Sequence, residues 1–191
     1  ETADKVLVRK AYSFSSGAGS NGHLLDFKLT LTNRSGAKIT KDSYFLYTGA
    51  ASELRPDEIS RPAFCWNNGG DPDKWDTNAF RDGAGFLGFG GPILEKQESL
   101  NLLRWAGVMS RFYASVIANN EDHPTRVWSE RFLIDHSKDE FKDNAKAGQD
   151  HAIHGGFSLA MVELEPNASK VHDLRVYVGP KIYHDLNLID E

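Results

Sequence analysis

The strictest pattern in the chain is residues 23–33, HLLDFKLTLTN, where Leu25, Phe27, Leu29 and Leu31 alternate with Asp26, Lys28, Thr30 and Thr32. A period of two puts the leucines and the phenylalanine on one face and the polar residues on the other. That is the signature of a half-buried antiparallel strand and is incompatible with a helix. The stretch before it, KVLVRKAYSF at 5–14, reads as a second strand. Between them SSGAGSNG at 15–22 supplies turn residues, so the two predict a hairpin.

The densest apolar run is Glu98 to Asn119, ESLNLLRWAGVMSRFYASVIAN, with Trp105, Met109, Phe112 and Tyr113 within nine positions. Arg104, Ser110 and Arg111 interrupt it, and a spanning helix needs about 20 nearly uninterrupted apolar residues. It is also too long for one strand of about 5–6 residues. It reads as a central strand pair or one bent strand, broken between Gly107 and Arg111, with Gly107 suited to a bulge. A helix over Leu100–Ala114 fits the same periodicity.

Further strands are expected at Ser43–Thr48, Arg126–Asp135, His151–Leu164 and Val171–Val178. Gly179-Pro180 stops the last one, and a helix starts over Lys181–Leu186, since proline is well placed at a first helical position. From Gly49 to Pro92 the pattern dissolves, although Trp66, Trp75, Phe80, Phe86 and Phe89 imply that this segment folds back and packs. Residues 136–150 are charged and read as a surface excursion. The sum is one all-β domain, an antiparallel sandwich, with a short C-terminal helix. No internal repeat is visible.

Composition is that of a globular domain, 40% hydrophobic and 26% charged. A net charge of −5 and a pI near 5.8 argue against nucleic acid as a partner. Cys65 is the only cysteine, which excludes an internal disulfide and reads as a buried structural thiol. The chain opens on Glu1 and contains no signal-peptide pattern and no apolar run long enough to span a membrane, so it reads as a soluble piece of something larger.

Catalytic chemistry is hard to find. The Gly-rich run GAGFLGFGG at 83–91 has no GK[ST] and is not a phosphate loop. Seven histidines (His23, His123, His136, His151, His154, His172 and His184) invite a metal. However, His151 and His154 are three apart, and on a strand odd spacing sends them to opposite faces. No G-x-S-x-G elbow is present. Carboxylates such as Glu130 and Asp135 read as surface charge. The expectation is therefore no catalytic residues, no metal and no cofactor. Asn33-Arg34-Ser35 and Asn167-Ala168-Ser169 match glycosylation triplets and are given little weight.

Four stretches taken in order resemble the periplasmic domain of the YidC-type membrane protein insertases. They are KAYSF with LLDFKLTLTNRSG, then WAGVMSRFYASVI, then LEPNASKV, and finally LRVYVGPKIYHDL at 174–186. The resemblance implies a β-supersandwich held in the periplasm by a bacterial inner-membrane protein, with 181–191 opening a helical linker to a transmembrane segment. It implies a non-catalytic scaffold or contact surface, with Sec translocon components and nascent membrane proteins as partners and the bilayer near the C-terminus. The contact residues would be Gly179, Pro180, Ile182, Tyr183 and Leu186. One departure is that Pro166-Asn167 lacks the glycine expected after proline. The apolar face of 182–188 has two destinations, the bilayer or the sandwich itself.

Two rivals remain. Supersandwich folds also host carbohydrate-binding and aldose-epimerising proteins. These need a general acid and base on one cleft, and His151, His154 and Glu163 are the positions that reading would test. The other is a secreted adhesion module.

Overall fold

A computed structural model describes residues 5–14, 22–41, 44–52, 62–80, 91–119, 125–134, 151–160, 162–182, 186 and 189. Its strands are β1 (Val6–Phe14), β2 (Leu24–Asn33), β3 (Ile39–Lys41), β4 (Tyr44–Ser52), β5 (Ala63–Asn67), β6 (Asp73–Asp76), β7 (Glu95–Leu100), β8 (Trp105–Met109), β9 (Tyr113–Asn119), β10 (Thr125–Leu133), β11 (His151–Leu159), β12 (Val162–Leu164) and β13 (Ser169–Pro180). A seven-stranded sheet runs β1-β2-β13-β9-β8-β5-β6, a four-stranded sheet runs β4-β11-β10-β7, and β12 pairs with β3. Every pairing is antiparallel. The two larger sheets pack face to face as the predicted sandwich.

The alternation in β2 does what its pattern demands. Phe27, Leu29 and Leu31 are buried in the core with Phe64, Trp66, Val127, Ile153, Phe157 and Leu174. The β1–β2 hairpin forms in the expected register, from Val6 opposite Asn33 to Phe14 opposite Leu25. Leu24, one residue out of phase, is buried on the other side of the sheet with Tyr177, Val116 and Ile189. That second cluster also receives Leu186, so the chain end packs against the sandwich.

The 98–119 run is a strand pair, as expected, and no helix forms there. The break falls at Ser110–Phe112, where Ser110 N donates to Tyr113 O at 2.8 Å. Gly107 lies inside β8 in unbroken register, between Cys65 and Val116. It forms no bulge. A Cβ there would lie 2.3 Å from Ser115 O, so close backbone approach is what requires glycine.

Three other sequence expectations are corrected. The patternless 49–92 region contains the β5–β6 hairpin, whose Trp66 and Trp75 rings sit 4.5 Å apart in the core. The single strand expected over 151–164 is two, β11 and β12, which belong to different sheets. β13 continues through Gly179 and Pro180, which pair with Ala114 and Tyr113, where a strand end was expected. After Pro180 only Leu186 is helical among the described residues, and its N donates to Ile182 O at 3.1 Å. The 136–150 excursion, Phe86 and Phe89 lie outside the described residues.

Asn33, fully buried, ties the ends of several elements together. Its Nδ2 donates to Ala37 O and Leu164 O, each at 2.8 Å, and its Oδ1 accepts from Ser35 N at 2.8 Å and Ser35 Oγ at 2.7 Å. An amide so engaged does not carry a glycan. Asn167 takes φ +64° in its turn. Asparagine tolerates the left-handed region, which is why that turn works without the glycine expected after Pro166.

Candidate functional site

The outer face of the four-stranded sheet carries the exposed rings of Phe45, Tyr47 and Phe132 side by side, while Tyr12, Phe14, Phe112 and Tyr113 are exposed elsewhere. In β10 the residues Val127 and Ser129 are fully buried against the larger sheet. The period of two therefore turns Arg126, Trp128, Glu130 and Phe132 outward. Register places His154 opposite Glu130 and Gly156 opposite Trp128. On the next strand Tyr47 lies opposite Gly156 and Ala50 opposite His154. On the far side β7 brings Gln97 against Trp128 and Glu95 against Glu130. Four strands thus assemble one surface of rings and hydrogen-bonding groups.

His154 is its centre. The imidazole Nε2 lies 3.1 Å from Glu130 Oε2. Three rings meet it edge-on: Phe132 at 5.0 Å, Trp128 at 5.3 Å and Tyr47 at 5.8 Å between centroids. Phe45 continues the strip, 6.2 Å from Trp128. The rings are not a hidden core, since Phe45, Tyr47 and Phe132 are 42%, 51% and 38% exposed. The His154 and Glu130 side chains keep 25% and 44% of their surface in solvent. Partial burial raises the Tyr47 phenol above its ordinary value.

Gly156 shapes the floor. A Cβ there would sit 2.3 Å from Leu46 O and 3.1 Å from Trp128 Nε1. The missing side chain lets the indole lean across β11. Its Nε1 is buried without a hydrogen-bond partner among the described residues.

The residues singled out in the sequence fall elsewhere, with one exception. His154 is in the site, but its carboxylate is Glu130, which read as surface charge. Glu163 instead pairs with Lys38 at 2.8 Å on the small β3–β12 ribbon, an exposed ion pair that raises the lysine pKa. His151 lies in β11 at the opposite parity from His154, as odd spacing requires. His172 is a fully buried core histidine bonded to the Tyr44 hydroxyl. Among the described residues no cluster of three His, Cys, Asp or Glu forms a metal site. Cys65 is a partly buried thiol whose pKa burial pushes up to about 11.

Gly179 and Pro180 line a different feature, a cleft of about 560 Å³ among β4, β8, β9 and β13, together with His23, Tyr113 and Ser52. The His23 ring lies where a Cβ on Gly179 would be, 2.7 Å away. Ile182 is exposed, Leu186 packs on the sheet, and Tyr183 lies outside the described residues. No helix among the described residues is long and apolar enough to cross a membrane.

No family model matches the chain, and no curated protein matches it. Solved structures do. A galactose mutarotase-like protein from Lactobacillus casei ATCC 334 is 13% identical with a TM-score of 0.47 and shares 91% of this chain, which spans only 63% of that protein. A putative aldose 1-epimerase from Escherichia coli K12 is 13% identical with a TM-score of 0.38, over 94% of this chain and 67% of its own. A TPR-domain containing protein from Parabacteroides distasonis ATCC 8503 is 11% identical with a TM-score of 0.42, over 91% of this chain and 30% of its own. At these identities and scores they carry no residue, ligand or activity across. The insertase resemblance is corrected by the same findings: no family model supports it, and of the three structures above one is named mutarotase-like, one a putative epimerase and one a TPR-domain protein, none an insertase. The ordered motifs behind it are strand and turn patterns that any antiparallel sandwich with this spacing shares.

Proposed function

We propose that this chain is a carbohydrate-binding β-sandwich and that the outer face of the four-stranded sheet is its saccharide platform. One observation carries the reading: a His154–Glu130 hydrogen-bonded pair ringed by Tyr47, Trp128 and Phe132 on a solvent-exposed sheet face. Sugars present apolar C–H faces and a rim of hydroxyls. They are met by aromatic rings that stack and by fixed polar groups that accept and donate hydrogen bonds. Monomeric proteins rarely leave such a contiguous aromatic patch in water without a use for it.

The test is titration with neutral aldoses, glucose and galactose first, followed by tryptophan emission and calorimetry. Saturable binding that is lost in Trp128→Ala and Glu130→Gln is expected. No heat and no spectral change with any neutral mono- or oligosaccharide overturns the reading.

The same pair favours a second, catalytic reading, aldose ring opening. A base would take the proton from the anomeric hydroxyl while an acid gives one to the ring oxygen. The C1–O5 bond would break to the open-chain aldehyde, and reclosure would give the other anomer. Polarimetry on freshly dissolved α-glucose decides it. Acceleration abolished by Glu130→Gln supports catalysis, and an uncatalysed rate leaves binding alone.

A further inference from the structure

The platform is longer than one sugar ring needs. We propose that it takes a neutral, extended oligosaccharide of two or three units lying along β10, an inference that rests on the saccharide reading above.

The first argument is length. Trp128 and Phe132 stand on the same face of β10 four residues apart, about 13 Å at the usual strand rise, with Glu130 between them. Phe45 extends the strip beyond Trp128. A single pyranose seated on His154 and Glu130 reaches one or two of these rings and leaves Phe45 and Phe132 in water. Both terminal rings are more than one-third exposed. Each contributes its stacking surface only if the ligand continues past the polar pair in both directions.

The second argument is the order of groups. Reading outward-facing residues along β10 gives Arg126, Trp128, Glu130 and Phe132, so polar groups and rings alternate. A chain of linked pyranoses presents the same alternation, with a ring face in each unit and hydroxyls at its edges. β7 places Gln97 and Glu95 alongside Trp128 and Glu130, with Gln97 Nε2 donating to Glu95 Oε1 at 2.6 Å, as the polar edge beside a ligand on β10.

The third argument is charge and shape. Glu95 and Glu130 face each other across β7 and β10. Two carboxylates beside the centre of the site disfavour uronates and sulfated sugars through like-charge repulsion. A sheet face on which no wall rises among the described residues suits a ribbon-like β-1,4-linked chain better than a curved α-1,4-linked one.

The experiment is calorimetry of the 191-residue chain against glucose, cellotriose and maltotriose, backed by a panel of neutral mono- and trisaccharides of galactose, mannose and xylose. A trisaccharide affinity at least about tenfold above that of its monosaccharide is expected, with cellotriose ahead of maltotriose. Phe45→Ala and Phe132→Ala should each cut the trisaccharide-over-monosaccharide preference by roughly five- to tenfold, the scale of one lost aromatic contact. Both side chains are exposed, so the variants fold, and unchanged melting temperatures verify it. Phe14→Ala, an exposed ring on β1, should leave binding as it was. Equal affinity for mono- and trisaccharides overturns the extended platform and leaves the saccharide reading standing. No binding to any member of the panel overturns both.

Discussion

Gly155 is the position where one added carbon tests how the two sheets meet. It lies in β11 and faces inward, and its φ is not in the left-handed region, so alanine there is a steric change and not a conformational one. A Cβ would lie 2.5 and 2.7 Å from Phe64 Cδ2 and Cε2 and 2.6 Å from Trp128 O. Carbon atoms pack at about 3.5–4.0 Å, so the ring must retreat by about 1 Å. It has nowhere to go, because Phe64 is fully buried with Trp66 at 5.8 Å and Trp75 at 6.2 Å. The carbonyl contact belongs to the backbone of the neighbouring strand and cannot rotate away. Overpacking of a tight core costs about 1–3 kcal/mol. Two such contacts put Gly155→Ala at the upper end, about 2–3 kcal/mol. At roughly 2–4 °C per kcal/mol for a chain of this size, the melting temperature should fall by about 5–10 °C. Thermal unfolding by circular dichroism reads it directly. Gly36→Ala is the control, since nothing lies within 4 Å of its Cβ. Trimming the obstacle with Phe64→Leu in the Gly155→Ala background should recover at least about 0.5 kcal/mol relative to additivity. A Gly155→Ala protein melting within about 1 °C of wild type would refute this account of the sheet interface.

Two further outcomes follow from buried polar groups. Burial holds the Cys65 thiol at about 11 against an ordinary 9.0, so its thiolate at pH 8 is about 100-fold scarcer than that of a free cysteine. Labelling by a disulfide reagent should be slowed at least that much until the chain is unfolded in urea. The unfolded thiol loses its proton first as pH rises. The contribution of Cys65 is therefore intact below about pH 9, declines between about 9 and 11, and levels off at a loss of about 2–3 kcal/mol. Cys65→Ala should flatten that part of the alkaline stability profile. Asn33→Ala should cost about 2–4 kcal/mol in urea unfolding, because it strands the buried Leu164 carbonyl and the Ser35 donors. Asn33→Asp should cost more at neutral pH, since a carboxylate oxygen would face the Leu164 and Ala37 carbonyls. An aspartate variant as stable as wild type would reverse the assignment of the amide.

Much of the sandwich was legible because period-two patterning is enforced by a one-sided core. β2 shows it: the residues that alternate in the sequence alternate in burial, and the hairpin with β1 follows from the turn between them. What failed has physical causes. Ala63–Asn67 is AFCWN: Phe64 and Trp66 pack inward, and the far face carries Ala63 and the half-buried Cys65, whose in-sheet neighbour is Gly107. With small apolar residues in place of charged ones on that face, the strand lacks the period that would announce it. The 151–164 segment looked continuous because Phe157, Leu159 and Leu164 are apolar throughout. The chain nevertheless leaves one sheet after Leu159, and its next strand, starting at Val162, joins the small ribbon. Periodicity says nothing about which sheet a strand joins.

The site was illegible for a different reason. It is written in register, across four segments separated by up to about a hundred residues, and no spacing along the chain pairs Glu130 with His154. Yet each segment carried a local anomaly. In β10 the sequence TRVWSERFL places Val127 on the buried face, but Trp128 and Phe132 fall on the face that should be polar. In β4, YFLYTGAAS does the same with Phe45 and Tyr47 beside the inward Leu46. Apolar residues on both faces normally mean a strand covered twice. Here the four-stranded sheet is one of two outer layers, covered on one side by the larger sheet, and nothing among the described residues covers the other. Two strands therefore carry rings on a face that no described residue covers, and those rings surround His154, which bonds to Glu130. The aromatic residues on the outward parity of β4 and β10 are the local anomaly on which the saccharide proposal rests, and it becomes readable once the layers are known.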